Sequence, residues 1–196
     1  MRSAGSLSTL RRFAAEAPAA VERCDRCASP VSPSHAHRYD ASRRRLECVC
    51  ARCAPSAAPW RLVARRVELV GDLGAETDVW MGANLPVRLA YFVVREDGEV
   101  TASFPSPAGP TLSRIDPADW ASLADRVPRL RTLAPDVEAL LVNRVNGARD
   151  ALVVSIDVCY HLVGLLRARR FGDLLGGDVK NFLADLGREV RGSARG

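Results

Sequence analysis

Cys24-Asp25-Arg26-Cys27, His35-Ala36-His37 and Cys48-Val49-Cys50-Ala51-Arg52-Cys53 follow one another in the N-terminal part of the chain. A C-x2-C turn sets two thiolates about one metal bite apart, and two such turns facing each other complete a tetrahedron. The spacing therefore predicts that Cys24, Cys27, Cys50 and Cys53 hold one Zn2+. Four sulfurs would leave the ion no open position, which makes the role structural. The twenty-two residues between Cys27 and Cys50 are slightly more than the usual separation, and a loop or hairpin accommodates them. An iron–sulfur cluster is the less favoured occupant of so many thiolates. Five of the six cysteines lie between Cys24 and Cys53, which weighs against free buried thiols.

Cys48, His35 and His37 are candidate additional ligands. Residues two apart on a strand share a face, so Cys48 and Cys50 could both point at the metal, and His35 and His37 could do the same. One of these groups could replace a sulfur. The histidines could instead form an open second site, or be exposed loop residues. Arg43, Arg44 and Arg45 are expected to offset the negative charge of the thiolates.

The need for a staple is visible in the surrounding composition. From about Pro18 to Pro59 the chain is poor in large aliphatic residues and cannot bury enough apolar surface alone. The whole chain, with 196 residues, 47% of them hydrophobic and 26% charged, has material for a core besides. We expect two parts. Residues 1–58 hold an N-terminal helix (Leu7, Leu10, Phe13, Ala14 and Ala17 at helical spacing) and a small zinc-ribbon-like Cys/His module. Residues 59–192 form an α+β domain with a mainly antiparallel sheet and flanking helices.

In that second part, Trp60–Val63 reads as a strand that Val67–Val70 continues, and Trp80 falls in or near a loop. Pro86–Val94 and Glu99–Phe104 are expected strands joined at Asp97-Gly98. The proline-rich stretch from Phe104 to Pro110 cannot be regular structure and suits either a recognition surface or a connection. Asp116-Pro117 opens a helix. Val137–Val145 and Ala151–Ile156 are read as strands around a tight Asn146-Gly147 turn. Asp157 is expected to cap a helix burying Val158, Leu162, Val163, Leu165 and Leu166. A last helix runs through Val179, Phe182, Leu183, Leu186 and Val190.

The formal net charge is +5, and Lys180 is the single lysine. Arginine richness suits phosphate or acidic partners, but it also follows from GC-rich codons. Few aromatic residues accompany the cysteines, which argues against a nucleic-acid-binding zinc ribbon. No apolar run follows Arg11-Arg12-Phe13, and Asp157 and His161 interrupt Ala151–Leu166, a stretch too short to span a bilayer. A cytoplasmic protein without a membrane span is the resulting expectation. No phosphate-binding, dinucleotide or hydrolase motif is present. Cys159 with Asp157 and His161 reads as a buried cysteine beside a capping acid, so the expectation leans away from an enzyme.

Several stretches taken together resemble one bacterial family. They are the Cys/His module, Phe104-Pro105-Ser106-Pro107-Ala108-Gly109, Pro135–Val142, and Ile156–Tyr160 with Leu162-Val163-Gly164-Leu165. This set resembles the uncharacterised family DUF5947 over about residues 7 to 190. The resemblance implies an association with high-affinity nickel–iron hydrogenases, beside which members are often encoded. It transfers no catalytic residue. The expected function is a zinc-stapled accessory or interaction protein supporting hydrogenase maturation or assembly, with hydrogenase subunits or maturation factors as partners. The alternative is a redox or metal-delivery protein using the Cys/His cluster.

Overall fold

The computed structural model describes residues 21–55, 57–71, 73, 89–104, 111–168 and 176–193. The N-terminal helix, Trp80 and residues 105–110 of the proline-rich stretch lie outside them. The fold is α+β, and among the described residues all strand pairs are antiparallel.

A three-stranded sheet comes first. β1 (Ala36–Asp40) is central, between β2 (Arg45–Val49) and β3 (Trp60–Val63). The hairpin joining β1 to β2 turns through Arg44, which has a positive φ of 51°. Its other anchor is Asp40, whose carboxylate accepts hydrogen bonds from Ser42 Oγ, Arg43 N and the Arg43 guanidinium. Across β1–β2, Arg38 and Glu47 pair with both side chains buried, and the Arg38 guanidinium lies 4.4 Å over the Trp60 ring.

The larger sheet adds β4 (Val67–Leu69), β5 (Leu89–Val94), β6 (Val100–Phe104), β7 (Thr111–Arg114), β8 (Glu138–Asn143) and β9 (Asp150–Ser155). Their order is β4-β9-β8-β5-β6-β7. Strands β5, β8 and β9 are covered on both faces, so their sequences are nearly continuously apolar rather than alternating. Leu89, Tyr91, Val93, Ala139, Leu141, Leu152 and Val154 face one core. On that side lie α2 (Ile156–Arg167) and α3 (Gly177–Ser193), with Val158, Leu162, Val179, Leu183, Leu186 and Val190 packed inward. Ala90, Phe92, Leu140, Val142, Ala151 and Val153 face the other core, beneath α1 (Pro117–Arg126) and the 3-10 turn Pro128–Thr132. Each fully buried Leu or Phe, such as Leu140 or Phe92, contributes about 1.5–3 kcal/mol of hydrophobic stabilisation.

Local signals explain several joints. Asp116 Oδ1 accepts from Ala118 N at 2.8 Å, with Pro117 in the first turn of α1. At Asp97-Gly98 the chain makes a turn closed by Gly98 N to Arg95 O, then a bulge in which Gly98 takes φ 82° and Arg95 N bonds Glu99 O. This is the three-residue hairpin geometry that needs glycine at its left-handed position.

Three expectations change. Trp60–Val63 and Val67–Leu69 are not one strand: β3 pairs with β1, whereas β4 pairs with β9. The chain crosses between sheets at Arg66, whose N bonds Ser155 Oγ and whose carbonyl accepts from Ser155 N. The β8–β9 connection is wider than a tight Asn-Gly turn. Asn143 pairs with Asp150, and a 3-10 turn spans Val145–Gly147. The cause is Asn143, whose Oδ1 accepts from Val145 N at 3.0 Å and draws Val145 into the core. Finally, Ser155 and not Asp157 is the N-cap residue of α2; Asp157 lies in its first turn and faces β1.

Candidate metal centre

The four cysteines of the two C-x2-C turns converge. Their sulfurs all lie within 4.8 Å of one another, and Cys27 Sγ is 3.7 Å from Cys50 Sγ. The first turn precedes β1 and is closed by Ala28 N to Cys24 O, with Ala28 at φ 58°. The second begins where β2 ends. Cys50 O accepts from both Cys53 N and Ala54 N at 2.9 Å. Such a cluster can hold a metal ion, and its donor set is all sulfur.

The backbone prepares these sulfurs for negative charge. Amide donation from Cys50, then from Arg26 and Cys27, lowers the Cys24 thiol below its ordinary value. Hydrogen bonds from the Ser29 hydroxyl and amide lower Cys27 to about 6. Cys53, hydrogen-bonded to Cys50 and facing the other sulfurs, is pushed up to about 12. The surroundings thus favour the thiolate at Cys24 and Cys27 and the thiol at Cys53, and a bound cation favours the thiolate form of any cysteine that ligates it.

The balancing cation is Arg52, inside the second turn. It is hydrogen-bonded to Cys27 and sits in the field of Cys27, Cys50 and Cys53, which raises its own pKa. Two of the expected trio are engaged elsewhere. Arg43 pairs with Asp40 and Arg45 with Glu47. Arg44 sits at the hairpin tip, where its carbonyl receives the Tyr160 hydroxyl. The signal for Arg52 is its place between Cys50 and Cys53, inside the turn that carries two of the four sulfurs.

Cys48 does not join the group of four sulfurs. β2 stops at Val49, so the rule that residues two apart share a face ends before Cys50, which turns away toward Cys24 and Cys27. Cys48 instead pairs directly with His37 across β1–β2. With His35 it forms a second group whose candidate ligand atoms also lie within 4.8 Å of one another. The two imidazoles meet edge to face, with centroids 4.6 Å apart. Burial, then the carboxylates of Asp25 and Glu22, raise the Cys48 thiol to about 11.

Asp157, from α2, is the residue that sequence reasoning misplaced. Its Oδ2 lies 3.1 Å from His37 Nδ1, and a separation of 120 positions along the chain leaves no local pattern that would reveal the pair. Cys159 and His161 form no comparable site. Cys159 is fully buried, and burial pushes its thiol well up. His161 is exposed and packs its ring 4.9 Å from that of Phe182.

A family model described as a family of unknown function, DUF5947, matches residues 23–193. The chain belongs to the DUF5947 family. The matched span opens one residue before Cys24 and closes at the end of α3, so both Cys/His groups and the large sheet lie within the DUF5947 unit. No curated protein and no solved structure matches the chain. Among the described residues, no helix is long and apolar enough to cross a membrane.

Proposed function

We propose that this DUF5947 protein is a zinc-stapled accessory or interaction protein of the cytoplasm, acting through protein contacts in nickel–iron hydrogenase maturation or assembly. One observation carries the metal part: Cys24, Cys27, Cys50 and Cys53 converge, offering four sulfurs and no other donor. Four protein ligands fill a tetrahedral Zn2+, so the ion stabilises the module instead of reacting. Zn2+ would be held by these thiolates, with amide donors and Arg52 offsetting their charge. The partner rests on the resemblance alone, through genes that neighbour hydrogenases.

Two measurements test it. Full-length protein purified without oxygen should contain zinc that is lost, together with the fold of the small sheet, in Cys24→Ser. Visible charge-transfer absorbance with stoichiometric iron would sink the zinc reading. Affinity capture of the tagged chain from a hydrogen-oxidising host should enrich hydrogenase subunits or maturation factors, and failure to enrich either would remove the assembly role.

A second reading, a redox or metal-delivery protein, draws on a separate observation. Cys48 groups with His35 and His37, apart from the closed set of sulfurs.

A further inference from the structure

His35 and His37 are both held by their Nδ1 atoms. His35 Nδ1 lies 2.8 Å from the Ser32 carbonyl oxygen, and a carbonyl can only accept, so Nδ1 carries the proton. His37 Nδ1 lies 3.1 Å from the Asp157 carboxylate, which accepts in the same way. In a neutral imidazole this leaves Nε2 of each ring as the atom with a free lone pair. The His35 side chain is 6% exposed, and its Nε2 is buried with no hydrogen-bond partner. A buried polar atom without a partner is unfavourable, and an electrophile at Nε2 removes that penalty. Cys48 is opposite His37 in the β1–β2 register, so its side chain shares a face with those of His37 and His35.

We infer that His35 Nε2, His37 Nε2 and Cys48 Sγ form a second metal site, separate from the four-cysteine site, that takes a late first-row divalent cation and leaves its fourth position to an exchangeable ligand. The inference deepens the metal-delivery reading and is independent of what the four cysteines hold. Two imidazoles and one thiolate suit zinc and its neighbours and are poor ligands for Mg2+ or Ca2+. Among the described residues, no fourth His, Cys, Asp or Glu joins the group, and three protein ligands with one further position are the arrangement of reactive or exchangeable zinc. Asp157 is the positioning residue. A carboxylate behind a metal-bound histidine fixes its tautomer and raises its basicity. Because Asp157 belongs to α2 while His37 lies in β1, Cys48 in β2 and His35 just before β1, occupancy of this site also ties the small sheet to the larger domain.

The experiment is a Co2+ titration of the metal-free full-length protein, read by the cobalt d–d and thiolate charge-transfer bands. The parent should bind two equivalents. Cys48→Ala and His37→Ala should each bind one, with the tetrathiolate spectrum intact. Asp157→Asn should still bind two, the second about 10- to 100-fold more weakly. One equivalent in the parent, or two in both Cys48→Ala and His37→Ala, overturns the inference. Cadmium NMR of the unmutated protein provides a check that no folding defect can confuse. Two resonances are expected, and a single resonance overturns the second site.

Discussion

Asp25 brackets Cys48: its amide donates to the Cys48 carbonyl at 2.9 Å, and its carboxylate accepts from the Cys48 amide at 2.7 Å. The residue inside the first C-x2-C turn thereby fixes the backbone of the residue that belongs to the other Cys/His group. The two groups share a scaffold while their ligands stay separate.

Asp25→Ala should accordingly disturb both groups at once. The lost hydrogen bond has a charged acceptor, a class worth about 1.5–3 kcal/mol, and the exposed position favours the low end. We expect a lower melting temperature and faster metal release from both groups. Asp25→Asn, which keeps an acceptor oxygen, should fall between parent and alanine. Release rates followed with a chromogenic chelator check this. Equal rates in the parent and Asp25→Ala would show that the bracket holds neither group.

Arg52 makes a different prediction, confined to one group. Its charge lies near Cys27, Cys50 and Cys53, so Arg52→Ala should weaken metal binding by the four cysteines, and Arg52→Glu should weaken it more. The screened, exposed geometry limits the alanine effect to about tenfold or less. Competition with a chelator of known affinity measures it. A larger loss in Arg43→Ala or Arg45→Ala than in Arg52→Ala would restore the trio suggested by the sequence.

The legible parts of the fold were those set by local chemistry. Asp116-Pro117, Asp97-Gly98 and the apolar stripe of α3 each determine a structure within a few residues. The four-cysteine group was legible because two short turns prescribe two pairs of neighbouring thiols. What remained hidden depends on partners far along the chain. β3 joins β1 and β4 joins β9, and nothing within Trp60–Leu69 distinguishes those destinations. Asn146-Gly147 carried the signal for a tight turn, but the Asn143 side chain and the burial of Val145 prevailed. Cys48 was ambiguous because its assignment turns on where β2 ends, the least visible property of a strand.

Acid should act on the β1–β2 hairpin through Asp40. Hydrogen bonds from Ser42 and Arg43 hold its carboxyl down to about 2. A depressed folded-state value means that the ionised form stabilises the fold; this contribution is complete above the unfolded value near 4 and disappears as pH falls from about 4 to about 2. Asp40→Asn should therefore be less stable than the parent at about pH 7 and converge with it near about pH 2. The comparison cancels acid effects common to both proteins, including protonation of the cysteines. Urea midpoints across this range provide the measurement, and a parent–variant difference independent of pH would exclude Asp40 as the titrating group.

Arg95 and Asp136 offer the sharpest test of the large domain. Arg95 NH1 lies 2.7 Å from Asp136 Oδ1, with the side chains 16% and 4% exposed. Asp136 Oδ2 also accepts from Glu96 N at 3.3 Å, and Asp136 N bonds Val94 O at 2.9 Å. One aspartate thus ties the start of the β5–β6 hairpin to the approach to β8. Asp136→Ala leaves the arginine buried without its partner and should cost about 3 kcal/mol, the scale for stranding one member of a buried pair. It also places alanine at φ 63°, a conformation that asparagine and aspartate tolerate better. Asp136→Asn keeps that backbone and an acceptor for Glu96 N, so it should cost about 1–2 kcal/mol. Replacing Arg95 by Met in the Asp136→Asn background should recover part of the loss, because the buried charge goes too. Urea unfolding of the three variants orders them as Asp136→Ala below Asp136→Asn below the double variant. If Asp136→Ala is as stable as the parent, the ion pair and the left-handed backbone contribute nothing there, and packing alone fixes the hairpin against β8.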